Sequence, residues 1–150
     1  MFTNVLNDRF GEILKRVSPA ERRKLSRSIA IAVRAERSNE ILANKNADGT
    51  AMEKRKAQKS SRRRSKNKSG KMFKKLGKRS SLRIHANSNF AAVSFQHKNR
   101  KIAESHQYGR KVQVNRYTKV KYPKRSLLGI GPKEEQIVLD QLMKLMEGAL

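Results

Sequence analysis

The stretch Leu82-Arg83-Ile84-His85-Ala86-Asn87-Ser88-Asn89-Phe90-Ala91-Ala92-Val93-Ser94-Phe95 decides how the rest of the chain is read. Leu82, Ile84 and Ala86 alternate with polar residues, the period-two pattern of a strand covered on one face. Asn87-Ser88-Asn89 supplies turn residues, and residues 90–95 run back as a second strand. A β-hairpin is expected here. The pattern on both sides of it is helical.

Upstream, Val5, Leu6, Phe10, Ile13, Leu14 and Val17 share one face of a helix over residues 3–17. Ser18-Pro19-Ala20-Glu21 opens a second helix: serine caps, proline suits the first turn, and Glu21 completes a capping box. Leu25, Ile29, Ala32 and Val33 carry it toward Ile41 or Leu42. Asn46-Ala47-Asp48-Gly49-Thr50 then turns the chain. Downstream, Met72, Phe73 and Leu76 predict one or two helical turns ended at Gly77. A short helix is expected from Ile102 to Tyr108, with Ile102 and Ala103 buried and Gly109 as a left-handed cap. Val112 and Val114, then residues 117–122, read as two more strands. Pro132 opens a last helix to about Glu147, with Ile137, Val138, Leu142, Leu145 and Met146 on its buried face. Pro132, Glu134 and Glu135 suit its start.

The reading is an α+β fold: an N-terminal helical pair, a small mainly antiparallel sheet and a C-terminal amphipathic helix, with a long basic loop. Residues 1–150 are taken as one domain, with 1–45 the helical pair, 51–69 the flexible loop and 70–150 the α/β part. There is no internal repeat.

Charge narrows the partners. The 150 residues carry 37 Lys and Arg against 12 Asp and Glu, a net charge of +25. The excess is concentrated: residues 54–83 hold 15 cations and no acid. Within it Lys-Ser-Ser-Arg-Arg-Arg-Ser-Lys-Asn-Lys-Ser-Gly-Lys, residues 59–71, has no apolar side chain and cannot offset its ordering entropy. A negatively charged partner is therefore expected, whether nucleic acid, acidic protein or anionic membrane surface. Arg62, Arg63, Arg64, Lys66 and Lys68 are candidate anion-binding residues, because guanidinium forks match phosphate and carboxylate. Nucleic-acid binding by this run alone would be salt-sensitive and sequence-blind. The run holds no aromatic between Lys54 and Met72 to stack bases, and the chain has no Trp.

Other chemistry is missing. There is no cysteine, so no disulfide and no thiolate metal site. His85, His97 and His106 are not spaced as ligand pairs, and His106 has no nucleophile or carboxylate near it in sequence. Asp8, Glu12, Glu21, Glu36 and Glu40 lie on expected helices with basic neighbours and read as surface pairs. Gly129-Ile130-Gly131 is too short for a dinucleotide loop. No cofactor and no enzyme activity are expected. The N-terminus lacks a signal-peptide pattern, and no apolar run reaches the ~20 residues of a membrane span.

Three further motifs stand in order. They are Gly70-Lys71-Met72-Phe73-Lys74-Lys75-Leu76, then Lys101-Ile102-Ala103-Glu104-Ser105-His106-Gln107-Tyr108-Gly109, then Tyr122-Pro123-Lys124-Arg125-Ser126-Leu127-Leu128-Gly129-Ile130. This order resembles the phage virion morphogenesis family, the tail-completion proteins of contractile-tailed phages. There an MF..L element, an IA..HqyG element and a YP.R.LLG element follow one another. The resemblance spans residues 29–147 and includes the Asp48-Gly49-Thr50 turn. It departs at Ala51-Met52-Glu53, where such proteins often have an aromatic and a proline.

The resemblance implies a structural virion protein at the head-proximal end of the tail. It would form a homohexameric ring on tube and sheath, stop their growth and meet the head-completion or neck connector protein. It would be made in the host cytoplasm and carry no membrane contact. Two partners remain open for the basic loop, an acidic tube or neck protein and the genomic DNA in the channel, with the protein interface preferred. Lys124 and Arg125 are the interface candidates of the third motif. Pro123 and Gly129 would shape that segment, and Leu127 and Leu128 would pack. His106, Gln107 and Tyr108 would form a polar cluster at the helix end. The alternative function is a basic, sequence-non-specific nucleic-acid-binding protein.

Overall fold

The structure, a computed structural model, describes residues 15, 17–54 and 72–148. The helix expected over 3–17, save Lys15 and Val17, lies outside the described residues. So does the basic loop with Arg62, Arg63, Arg64, Lys66 and Lys68.

Helix α1 spans Pro19–Leu42 and begins as its sequence requires. Ser18 Oγ accepts from the Glu21 backbone N–H at 3.3 Å, and the Glu21 carboxylate accepts from the Ser18 N–H at 2.9 Å. This capping box satisfies two of the donors a helix start leaves open. The helix ends on Asn44, whose φ of 58° is left-handed. The Lys45 N–H reaches the Glu40 carbonyl at 2.8 Å and the Asn44 N–H reaches Ile41 at 3.1 Å. That pair of bonds is a Schellman cap, with asparagine in the place glycine usually takes.

The turn that follows is built on side chains. Asp48 Oδ1 accepts from the Thr50 N–H at 2.9 Å and from the Thr50 hydroxyl at 2.6 Å. The Thr50 side-chain bond, aided by its backbone, holds the Asp48 carboxyl below its ordinary value. Gly49 takes a φ of 83°.

Strands β1 (Leu82–Ala86) and β2 (Ala91–Phe95) form the expected antiparallel hairpin, in register from Leu82 opposite Phe95 to Ala86 opposite Ala91. Asn87 Oδ1 accepts from the N–H groups of Asn89 and Phe90 at 2.7 and 2.9 Å, closing the turn. Phe90 stays outside the strand and is exposed. Helix α2 spans His97–Gln107. Strands β3 (Lys111–Asn115) and β4 (Thr118–Lys121) pair antiparallel, and helix α3 spans Pro132–Gly148.

Four expectations need correction. The strands form two separate two-stranded sheets, not one. Helix α2 starts at His97 rather than Ile102, because Gln96 enters it without a side-chain cap that the sequence could advertise. Ile102 is consequently on the outer face, 57% exposed, while Ala103 is buried. Residues 72–76 are not regular helix. Phe73 has a φ of 59°, and a single helical bond from the Gly77 N–H to the Phe73 carbonyl closes a turn, followed by a 3-10 turn at Arg79–Ser81.

Helix α1 is the central element, with the β1–β2 hairpin against it and α3 packed alongside. The core gathers Ile41, Met52, Met72, Leu76, Ala103 and Leu127, with Phe73 and Phe95 against them. Only Ile41 and Ala103 of these lie on helices; the other four come from irregular segments. Each large apolar side chain so buried contributes about 1.5–3 kcal/mol. Loops thus supply much of this core, and the bonds that fix those loops are central to the fold. On α3, Ile137, Val138, Leu142 and Leu145 are half-buried, while Met146 faces out at 36%.

Candidate functional site

The three motifs meet at one junction. Arg125 sits at its centre, 3% exposed. Its Nε donates to the Glu53 carbonyl at 2.9 Å, and its Nη2 donates to the Lys54 carbonyl at 3.3 Å. Its Nη1 lies 3.0 Å from His106 Nδ1. A guanidinium only donates, so Nδ1 accepts and the imidazole proton sits on Nε2. His106 packs edge-on to Phe73, with ring centroids 4.7 Å apart, and against Tyr122 at 4.4 Å. The Arg125 guanidinium lies 5.8 Å from the Phe73 ring centre.

This geometry has a topological meaning. Lys54 is the last described residue before 55–71, and Met72 and Phe73 are the first after it. Arg125 touches both sides of the gap. Asn44 Oδ1 accepts from the Met72 N–H at 3.0 Å and fixes the far side as well. The residues on either side of that gap, Glu53 and Lys54 before it and Met72 and Phe73 after it, are therefore held at one junction.

Gln107 joins the second motif to the third. Its Oε1 accepts from the N–H groups of Leu127 and Leu128 at 2.8 and 2.9 Å. Its Nε2 donates to the Leu128 carbonyl at 2.8 Å. One side-chain amide thus replaces a strand partner for this segment. Asn46 holds the other side, accepting from the Ser126 N–H at 2.9 Å, while the Ala47 N–H donates to the Ser126 carbonyl at 2.9 Å. Gly109, with φ of 62°, ends α2: the Arg110 N–H reaches Ser105 at 2.9 Å and the Gly109 N–H reaches His106 at 3.3 Å. A left-handed cap at Gly109 is what the sequence predicts.

A buried ionic hub lies beneath. Arg37 is 1% exposed and Glu134 is 1% exposed. Arg37 pairs with Glu40 and, at 3.4 Å, with Glu134. Its Nε and Nη2 donate to the Leu127 carbonyl at 3.2 and 2.9 Å. The second Glu134 oxygen accepts from the Gly131 N–H at 3.0 Å, capping α3. Lys133 adds contacts to Glu36 at 2.8 Å and to Glu40 at 3.3 Å. Gly131 is packed so closely that a Cβ would fall 1.8 Å from the Ala47 carbonyl oxygen.

The expected site residues divide accordingly. Arg125 is not presented at the surface; the Glu53 carbonyl, the Lys54 carbonyl and His106 Nδ1 hold it inside the molecule. Lys124 is exposed. Met72, Leu76 and Leu127 are core, and Leu128 and Pro123 are half-buried. His106 and Gln107 lie at the junction, but Tyr108 does not join them. It is 62% exposed, with the Arg110 guanidinium 5.1 Å from its ring centre. Gly129 is exposed, yet a Cβ there would meet Ala47 at 2.8 Å. Glu40 is buried rather than a surface pair. Sequence reasoning missed Arg37 and Glu134. Their one local signal was Glu134 at the third position of a helix opened by Pro132.

His85 Nε2 and Ser94 Oγ are 2.9 Å apart beside a hollow of about 620 Å³. Among the described residues no carboxylate bonds the other His85 nitrogen, so the triad arrangement is not assembled there. No three acidic or histidine side chains converge to hold a metal among the described residues. No helix among them is long and apolar enough to cross a membrane.

The fold and junction define a small α+β protein whose sequence motifs fix loops, and the chain belongs to the phage virion morphogenesis family, whose model matches residues 2–147. It is similar to tail completion protein S of Escherichia phage P2, 33% identical over 143 residues, covering 93% of this chain and 94% of that protein. No solved structure matched the chain.

Proposed function

We propose that this chain is a structural component of a phage tail that completes the tail's head-proximal end, assembling as a ring on tube and sheath and meeting the head connector. The observation that carries this reading is the likeness to the P2 tail completion protein over nearly the whole of both chains. The junction supports it in kind. Arg125, Gln107 and Arg37 are committed to shape, which suits a scaffold that presents surfaces. A cation-rich stretch tied at its base suits docking on an acidic protein ring. A small core with four of its six members on irregular segments suits a protomer that gains order by assembly.

Deleting the gene and imaging the particles tests the reading. Overlong or headless tails are expected, restored by the gene in trans. Quantitative mass spectrometry of purified virions should find the chain at about six copies per tail, the number a closed sixfold ring requires. Normal tails after deletion, with the chain missing from virions, would overturn it. The second reading is sequence-blind nucleic-acid binding, favoured by the 15 acid-free cations of residues 54–83. A salt-sensitive coat on any DNA, with normal tails in the deletion, would select it.

A further inference from the structure

Two exposed surfaces of this molecule have matched character. The first is the β3–β4 ribbon. Val112 stands opposite Val120 in the ladder, while Lys111 opposite Lys121 and Gln113 opposite Lys119 take the other face. Val114 is 56% exposed and Tyr117, at the turn, is 90% exposed. The ribbon's principal contacts are between its own two strands. A two-stranded ribbon alone is marginal in water, so an apolar face of this kind calls for cover. No acid occurs between Glu104 and Glu134 in the sequence, so the ribbon and the segments flanking it carry cations only.

The second surface is the outer face of α3. Its inner face packs on α1, with Ser28 bonded to Gln141. Leu139, Met143 and Met146 form a second stripe at i, i+4 and i+7, exposed by 45, 57 and 36%. At 3.6 residues per turn, Glu135 borders this stripe on one side and Asp140 and Glu147 on the other. All three acids are exposed. In a chain of net charge +25, an acid-bordered apolar stripe is unusual.

We propose that the β3–β4 ribbon of one copy docks on the outer face of α3 of a second copy. Val114, Val120 and Tyr117 cover Leu139 and Met143. Arg116, Lys119 and Lys121 extend around the ribbon's edges to Asp140 and Glu147, their stems lying on the apolar surface. The contact joins two different patches, so each copy gives one and receives one. Such head-to-tail contacts close into a ring when the rotation permits. The inference gives the proposed ring its contact and rests on that reading. Nucleic acid would satisfy the lysines but leave the valines uncovered.

The absence of cysteine makes the test clean. Full-length Tyr117→Cys and Met143→Cys variants are mixed under a mild oxidant. The mixed disulfide should form about tenfold faster than either self-disulfide, because docking raises the effective thiol concentration. Lys119→Glu with Lys121→Glu in the first variant should remove that advantage, and Asp140→Lys with Glu147→Lys in the second should restore it. Mixed and self-disulfides in statistical proportion overturn the proposal. So does a Met143→Cys thiol shielded from reagent in the monomer, which would mean that its own chain covers the stripe. Loss of duplex-DNA binding by the lysine variants with unchanged cross-linking assigns the ribbon to nucleic acid and overturns it too. Normal incorporation into tails alongside statistical cross-linking sinks this contact while leaving the tail reading intact.

Discussion

Arg125 and His106 are joined twice, backbone to backbone through Arg125 N–H and the His106 carbonyl at 2.8 Å, and side chain to side chain at 3.0 Å. The double link locks the third motif to the end of α2. It also aims the guanidinium at Glu53 and Lys54, so the base of the basic stretch depends on a residue 71 positions away.

Arg125→Ala should therefore lower stability by about 2–3 kcal/mol, the scale of losing charged hydrogen bonds to buried and part-buried acceptors. Arg125→Lys should restore little of it, since one ammonium cannot span acceptors that a planar fork reaches. Chemical denaturation of the three proteins checks both. Equal stability of the lysine variant and the parent would show that charge alone, not the fork, matters here.

Gln107→Ala leaves the N–H groups of Leu127 and Leu128 without their acceptor, and Leu127 is fully buried. A loss of about 1–3 kcal/mol is expected. Gln107→Glu keeps the acceptor for both N–H groups but sets a carboxylate against the Leu128 carbonyl, and should fall between the two. Amide exchange at Leu127 and Leu128, followed by NMR, should accelerate in the alanine variant before other sites do.

Arg37→Ala takes the guanidinium from the buried Glu134 carboxylate and leaves Glu40 with Lys133, and should cost about 3–5 kcal/mol. Replacing Glu134 by Gln in the same chain should recover part of that loss, because the amide still accepts from Gly131 and no charge is left beside it. Additive destabilisation in this double-mutant cycle would argue against a shared hub.

The capping box carries a pH signature. Hydrogen bonds from Ser18, side chain first and backbone second, hold the Glu21 carboxyl below its ordinary value in the folded chain. A depressed carboxyl contributes stability that is present above its unfolded value and lost as pH falls through the folded one. Tm of the parent should exceed that of Glu21→Gln at pH 7, and the gap should close below about pH 4. A gap that widens on acidification would contradict the assignment.

Much of the local structure is legible in the sequence. Ser18, Pro19 and Glu21 announce α1 because capping uses residues within one turn. The alternation at Leu82, Ile84 and Ala86 announces β1 because the pleat has period two. Gly109 announces the end of α2 because a left-handed cap favours glycine. Helix α2 was placed late because nothing polar caps its start at Gln96. Met72 to Leu76 has helical spacing, yet Phe73 is left-handed and its ring packs on His106, 33 residues further along, a contact that local spacing does not encode.

By itself the sequence determined the caps, the hairpins, the charge excess and the order of the three motifs, since these depend on neighbours a few residues apart. Only the tertiary structure decided which charges are buried. Arg37 and Glu40 at i and i+3 look like any surface pair, and Arg125 looks like a free cation beside Lys124. Their burial follows from Leu127, Glu134, Glu53 and Lys54 arriving from distant parts of the chain. A charge can leave water only where partners converge to replace it, and that convergence is a property of the fold.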